Sequence, residues 1–258
     1  SKYIVYRYIK TEIPESVKAY FRMGKKYFHD KFECYVNIDY TRYRSMQMVV
    51  YDHKTLDFAS RVLRVDGWHM VRLFVTVVID KRSRKPLGWW VDETPSTLTI
   101  IRATRMMVEN YGCPEEAQMD NGQDFRSYWF TGNAWNEQHL KFGAKEAKAV
   151  SSVIDDLGTA VHFTEPYRGQ SKNIERFFGF MASEFDKEFD SYLGSNTVTR
   201  PDEAKLYLGS FDGATKRDIM ELPTIEETRE LVGGFMRWYG AHHHHTGDGM
   251  NGRTPDEV

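Results

Sequence analysis

Hydrophobic and polar positions divide the chain into a helical start, a strand-rich middle and a helical close. After Ile13-Pro14-Glu15-Ser16, the residues Val17, Tyr20, Phe21 and Phe28 recur near helical spacing, within a segment 1–45 rich in Tyr, Lys and Arg. A helix with a basic face is expected there. From Met46 the period changes, and Met46-Gln47-Met48-Val49-Val50-Tyr51 suits a buried strand. The runs 62–65 and 70–79 flank Asp66-Gly67, a hairpin-turn dipeptide, and 87–91 reads as a third strand after a turn over 81–86. Thr94-Pro95-Ser96 caps a helix that continues to about Tyr111 and closes at Gly112. Short strands are expected over 116–119 and 160–163, separated by an irregular stretch from 121 and a helix near 144–157. The strongest helical signal covers 171–189, where Ile174, Phe177, Phe178, Met181, Phe185 and Phe189 form one apolar stripe. Residues 193–222 are polar and turn-rich, and 224–239 forms a last helix.

Three meandering strands followed by helix, strand, helix, strand and helix predict an α/β fold of ribonuclease H-like layout. A right-handed crossover lays the fourth strand parallel to the first, in a five-stranded mixed sheet with helices on both faces.

Composition narrows the class. At 258 residues, 41% hydrophobic and 14% aromatic, the chain is neither disordered nor fibrous, and no apolar run approaches the roughly 18 residues of a membrane span. Two cysteines, Cys34 and Cys113, exclude a disulfide framework, and with no secretory signal at its start a cytoplasmic location is expected. The balance of 35 basic and 37 acidic residues, net −2, argues against strong autonomous binding to nucleic acid. It leaves open a nucleic-acid partner at a site whose metal ions reverse the local sign.

The informative acids lie in or just after buried strands, where a carboxylate is costly unless compensated. Five aspartates do: Asp52, Asp66, Asp80, Asp92 and Asp120. Asp66 is explained by its hairpin turn, Asp80 by the basic turn Lys81-Arg82-Ser83-Arg84-Lys85, and Asp92 by the helix that follows it. Asp52 and Asp120 have no such explanation, and they end the two strands that the crossover brings together. A third ligand from the 171–189 helix would be Glu175, one residue after Ile174; the plain alternative is a surface pair with Lys172. Three carboxylates suit hard divalent cations, and two Mg²⁺ (or Mn²⁺) about 3.5–4 Å apart would serve phosphoryl transfer. Neither cysteine sits in a Cys/His arrangement and no Gly-rich phosphate loop is present, so no covalent nucleophile competes.

At these residues the chain resembles the integrase-core transposases of the phage Mu type, within the Asp-Asp-Glu transposase and retroviral integrase superfamily. Met48-Val49-Val50-Tyr51-Asp52-His53 through Asp57-Phe58 is similar to the first catalytic strand, and Ile79-Asp80 through Gly88-Trp89 to the superfamily hairpin. Met119-Asp120-Asn121-Gly122 and Gln170-Ser171-Lys172-Asn173-Ile174-Glu175-Arg176-Phe177-Phe178-Gly179 are similar to the second and third catalytic blocks. The intervals from Asp52 to Asp120 and from Asp120 to Glu175 fit the Mu type, whose second gap is long. Asp66 is the rival first ligand. The ending from Trp238-Tyr239 to Thr254-Pro255 resembles the family's closing motif, with Gly240 in place of an Asn and His242 to His245 in place of an Arg-Pro-His-like stretch.

The resemblance implies a DNA transposase core in which Asp52, Asp120 and Glu175 bind two Mg²⁺. It also implies a homo-oligomer on paired DNA ends, a target-selecting ATPase partner and DNA as substrate, with Arg168, Lys172, Arg176 and the 81–85 cluster as candidate DNA contacts. The expected organisation is a helical lead-in over 1–45, the catalytic core over 46–192 with an insertion at about 121–158, and a helical extension over 193–258. A nuclease without strand transfer and a non-catalytic DNA-binding protein are the alternatives.

Overall fold

The larger part of the molecule is built around one valine-bearing strand, β1 (Met48–Thr55). The computed structural model describes residues 2–32, 39–132, 151–164, 173–194 and 216–258, in two units, Ser1–Ile38 and Asp39–Val258. In the first unit, α1 (Lys2–Thr11) buries none of its residues. Pro14 precedes α2 (Glu15–Phe32), which kinks where Gly24 takes φ 86° and ψ 168°. Lys18 there bridges Glu15 (2.9 Å) and the carbonyl of Lys10 (3.1 Å).

In the second unit, β1 is followed by β2 (Ser60–Arg64), β3 (Gly67–Val71), β4 (Phe74–Asp80), β5 (Pro86–Asp92), α3 (Thr97–Tyr111) and β6 (Glu116–Met119). Then come α4 (Tyr128–Thr131), α5 (Val153–Leu157), β7 (Ala160–Phe163), α6 (Asn173–Glu184), α7 (Lys216–Glu221) and α8 (Ile225–His242). The main sheet has five strands in the order β5-β4-β1-β6-β7. The β1–β4 and β4–β5 pairs are antiparallel, and β1–β6 and β6–β7 are parallel. This is the ribonuclease H-like order expected from the sequence.

The meander differs in one respect. The run 70–79 is two strands, not one, because the chain breaks at Arg72-Leu73. Leu73 is fully buried and its carbonyl accepts from Leu56 N–H (2.9 Å), while Arg72 turns to the Leu56 carbonyl (3.1 Å). As a result β2 and β3, joined by Asp66-Gly67, form a separate two-stranded sheet. Of the helix expected near 144–157, the part described is α5, started by a Ser152–Asp155 capping box.

Strand alternation sorts the core. Val49, Tyr51 and Val78 pack with Ile100, Ala103 and Met107 of α3. Val50, Val75, Val77 and Ile79 pack with Ile174, Phe177 and Met181 of α6 and with Val232, Phe235, Met236 and Tyr239 of α8. Each such buried side chain contributes roughly 1.5–3 kcal/mol. α3 is started by a Ser96–Thr99 capping box, and Gly88 lets it lie close on β5: a Cβ at Gly88 would fall 2.1 Å from the Ala103 carbonyl oxygen.

The closing segment folds back on the β4–β5 turn. Arg82 donates to the Gly249 carbonyl (3.2 Å), Arg84 to that of Asp248 (3.1 Å), and Lys85 pairs with Asp256 (2.9 Å), while Met250 is fully buried. His243 stacks on Tyr239, with ring centroids 4.8 Å apart, and His245 meets His243 edge-on at 4.4 Å. His245 N–H also bonds the Arg253 carbonyl (3.1 Å), so the histidine run is part of the fold.

This packing can be tested at two glycines and one histidine. Gly88→Ala should lower the unfolding free energy in urea by roughly 3 kcal/mol, the upper end for overpacking. Gly234→Ala, with nothing within 4 Å of its added methyl, should be neutral or stabilising. Equal stability of the two variants would contradict the packing described. For His245, burial beside His243 and Arg84 pushes the imidazole down to about 4, from an ordinary 6.5. Between those values the unfolded chain binds the proton and the folded chain does not, so this contribution is complete above pH 6.5 and is lost as pH falls toward 4. Denaturation at pH 4.5 and 7 should show a smaller pH dependence for His245→Gln than for the parent.

Candidate active site

On β1, Val50, Asp52 and Lys54 face one side of the sheet, and Val49, Tyr51 and His53 the other. Val50 packs with Ile174, Phe177 and Met181 of α6, and the Lys54 ammonium pairs with Asp186, just beyond α6. Asp52, half-buried between them, therefore lies on the α6 side.

The register of β1 with β6 fixes its neighbour. Met48 stands opposite Glu116, Val49 opposite Ala117 and Val50 opposite Gln118. Counted on by two residues past the last of these pairs, the register would set Asp52 level with Asp120. Asp52 lies within β1, which runs on to Thr55, whereas Asp120 directly follows the end of β6. Asp120 is exposed directly after β6, and its turn is held by β7: the Met119 carbonyl accepts from Thr164 N–H (2.9 Å) and Asn121 donates to the Thr164 carbonyl (2.6 Å).

Glu175 lies in the first turn of α6, exposed, between the buried Ile174 and Phe177. The start of that helix is anchored by Asn173, whose side-chain amide donates to the Lys81 carbonyl (3.2 Å). Arg176 beside it is exposed. Arg168 and Lys172, and with them the alternative Glu175–Lys172 pair, lie outside the described residues. Among the described residues, no group of three or more His, Cys, Asp and Glu is gathered closely enough to hold a metal ion. Asp52 thus lies in β1, Asp120 just past the neighbouring β6 and Glu175 in the first turn of α6, and the structure does not gather the three. Their all-oxygen donor chemistry fits a hard divalent cation.

The sequence did not single out His53, although its place next to Asp52 on the opposite face follows from alternation. Its Nδ1 bonds the Thr76 hydroxyl (2.9 Å), which bonds that of Thr99 (2.9 Å), and its ring stacks on Phe125 at 4.6 Å. Burial pushes this imidazole down to about 4, against the opposing pull of the Asp120 charge. A neutral ring is thereby wedged under the Asp52–Asp120 end of the sheet.

The other aspartates have structural duties. Asp66 is exposed in the β2–β3 turn and bonds His69 (2.7 Å), in the small sheet rather than the main one. Asp92 pairs with Arg102 (3.4 Å) and Arg229 (3.9 Å) rather than acting at a helix end. Asp80 is not neutralised by the basic turn. Its carboxylate accepts from Ser83 N–H (2.8 Å), the Ser83 hydroxyl (2.7 Å) and Met46 N–H (3.1 Å). The basic residues there point elsewhere: Lys81, 5% exposed, bonds Gln118 (3.0 Å), and Arg84, 8% exposed, stacks on Tyr40 at 5.4 Å. Those two are internal braces, not DNA contacts. Accordingly, Asp80→Ala should cost about 2–4 kcal/mol, since two buried donors and one part-buried donor lose their acceptor, whereas Asp66→Ala should stay within about 0.5 kcal/mol. Urea unfolding of both variants checks the contrast.

Residues 50–190 match the profile of the TnsB C-terminal domain. The chain is 30% identical over 132 residues to the Mu-like prophage FluMu transposase A of Haemophilus influenzae, an alignment covering 48% of this chain and 19% of that protein. Similar solved structures include the simian T-cell lymphotropic virus intasome in complex with a PP2A regulatory subunit. That match has 13% identity, covers 82% of this chain and 53% of that one, and has a TM-score of 0.45. Another is the HTLV-2 integrase catalytic core domain in complex with magnesium, at 12% identity, 83% and 96% coverage and a TM-score of 0.43. Because the profile spans more than half of its length, this chain belongs to the TnsB C-terminal domain family.

Proposed function

We propose that the chain is the catalytic core of a DNA transposase, with Asp52, Asp120 and Glu175 as its metal ligands. The observation that carries this reading is the agreement between the Asp52–Asp120 spacing and the β1–β6 register. Membership of the family and the likeness to a prophage transposase support it.

In this reading Asp52 and Asp120 hold a pair of divalent cations from the sheet and Glu175 from α6. Bound there, Mg²⁺ or Mn²⁺ would supply activation of an attacking hydroxyl and charge neutralisation at the leaving oxygen. The scissile phosphate lies over the strand ends, with Arg168, Lys172 and Arg176 contacting the DNA backbone around it. Water attacks first, breaking one phosphodiester bond and freeing a 3′-hydroxyl at the element end. That hydroxyl then attacks a phosphodiester of target DNA, forming one bond as another breaks.

The wider organisation belongs to the same proposal. Residues 1–45 lead into the core from DNA-binding modules, 46–192 form the core and 193–258 extend it. The working form is a homo-oligomer on paired ends, aided by a target-selecting ATPase, in a bacterial cell. No helix among the described residues is long and apolar enough to cross a membrane.

The test is a strand-transfer assay using the protein that carries this chain, pre-cut element-end DNA and Mg²⁺ or Mn²⁺. Asp52→Asn, Asp120→Asn and Glu175→Gln should each lower joining by at least about 100-fold, the cost of losing one transition-state-stabilising group. Undiminished joining by Asp120→Asn would overturn the assignment. Cut but unjoined products from the parent protein would turn the reading into that of a nuclease.

A further inference from the structure

Immediately beyond the candidate carboxylates lies a second, buried set of charges that the proposed chemistry does not use. Lys54, two residues past Asp52 on the same face of β1, reaches Asp186 beyond the end of α6, Asp57 Oδ2 (3.4 Å) and the Thr55 carbonyl (2.9 Å). Asp186 Oδ2 also accepts from Asp57 N–H (3.1 Å). Arg72 closes the group, donating to Asp57 Oδ1 (2.7 Å) and to the Leu56 carbonyl (3.1 Å). The side chains of Lys54, Asp57 and Asp186 are 11%, 7% and 0% exposed.

Two cations and two anions balance in charge, but burying them is a poor route to stability. Desolvation offsets most of the attraction, and an apolar replacement of similar volume serves as well or better. What the ions supply is direction. The apolar cluster of Ile174, Phe177 and Met181 with Val50 and Val77 contains no directional bond between α6 and β1. A helix rises only about 1.5 Å from one residue to the next, so a slip of less than one residue would carry Glu175 away from Asp52. The Lys54–Asp186 pair fixes the far end of α6 to β1, and the Asn173 bond to the Lys81 carbonyl fixes its near end beyond β4.

We propose that Lys54 and Asp186, braced by Asp57 and Arg72, are positioning residues that set the axial register of the Glu175 helix against the Asp52 strand. The proposal rests on Asp52, Asp120 and Glu175 being the metal site.

The experiment compares four variants in the whole protein: Lys54→Met/Asp186→Leu, which removes both charges, Asp186→Asn, the conservative Lys54→Arg, and Asp120→Asn. Each is followed by urea unfolding, Mn²⁺ titration calorimetry, hydrogen exchange of the 173–184 amides, and kcat and KM for strand joining. The double variant should unfold at a midpoint close to the parent's. It should bind Mn²⁺ about 10–100-fold more weakly, as expected for loss of a group that orients metal ligands. Its kcat should fall with little change in KM for DNA, and its α6 amides should exchange faster. Lys54→Arg should stay within a few-fold of the parent in Mn²⁺ affinity. If the double variant does not fold, Asp186→Asn, which keeps the shape, supplies the same readouts. A folded variant with parental Mn²⁺ affinity and kcat overturns the positioning role. Asp120→Asn separates the two failures: retained Mn²⁺ binding there removes the carboxylate site itself, and positioning with it. Lost binding there alongside parental binding in the charge-free variant removes positioning only.

Discussion

Parallel pairing of β1 with β6 is the constraint on which the rest of the core depends. Parallel neighbours cannot be joined by a tight turn, so the chain must leave the sheet and return through a crossover. Here β4 and β5 complete the antiparallel side of the sheet before α3 makes the return. Gly88 lets α3 settle on β5, the Ser96 cap sets where it begins, and Gly112 marks where it stops. Together these choices deliver β6 beside β1 with Val50 opposite Gln118. The carboxyl ends of parallel strands are where open α/β sheets place their sites; Asp120 stands directly past the end of β6, and Asp52 lies in the second half of β1.

A second organising theme is where charge is hidden. Asp80, Lys81, Arg84, Asp57 and Asp186 are all buried, and each has partners inside the fold. Asp120, Glu175 and Arg176, in contrast, are exposed at the strand and helix ends. The near-neutral total of −2 therefore says little about the face near the candidate site. A few of the charges that enter the sum are held inside the fold, and the remainder are distributed over the surface by the fold rather than by composition.

Most of the elements were legible because their signals are local. Ser96 and Gly112 bracket α3, the Phe/Met/Ile stripe marks α6, and the short apolar runs at β6 and β7 end where turn residues begin. Alternation along β1 was enough to separate Asp52 from its neighbours. Two kinds of feature were not legible. One is partnership at long range: that Asp80 takes a donor from Met46, that Arg84 reaches Asp248, and that Lys54 meets Asp186 far along the chain. The other is a break without punctuation. Arg72-Leu73 carries no Gly or Pro, so 70–79 reads as one strand until the Leu56 and Asp57 contacts of Arg72 are known. Of the candidate site, Asp52 and Asp120 stand out in the sequence as strand aspartates with no local explanation, and Glu175 only as a position on a helix face. The residues leading into its helix, 165–172, lie outside the described structure.

The closing segment has a consequence in time as well as in space. Arg82 and Arg84 bond the carbonyls of Gly249 and Asp248, far along the sequence from the turn that carries them, and Met250 beside those acceptors is buried. A chain leaving the ribosome at about 5–20 residues per second has made the whole sheet well before residues 248–256 exist. During that interval the β4–β5 turn keeps two guanidinium groups waiting for their acceptors. Contacts of such sequence separation also form late in folding. The β4–β5 turn thus reaches its native contacts only after residues 248–256 have been made, long after its own strands.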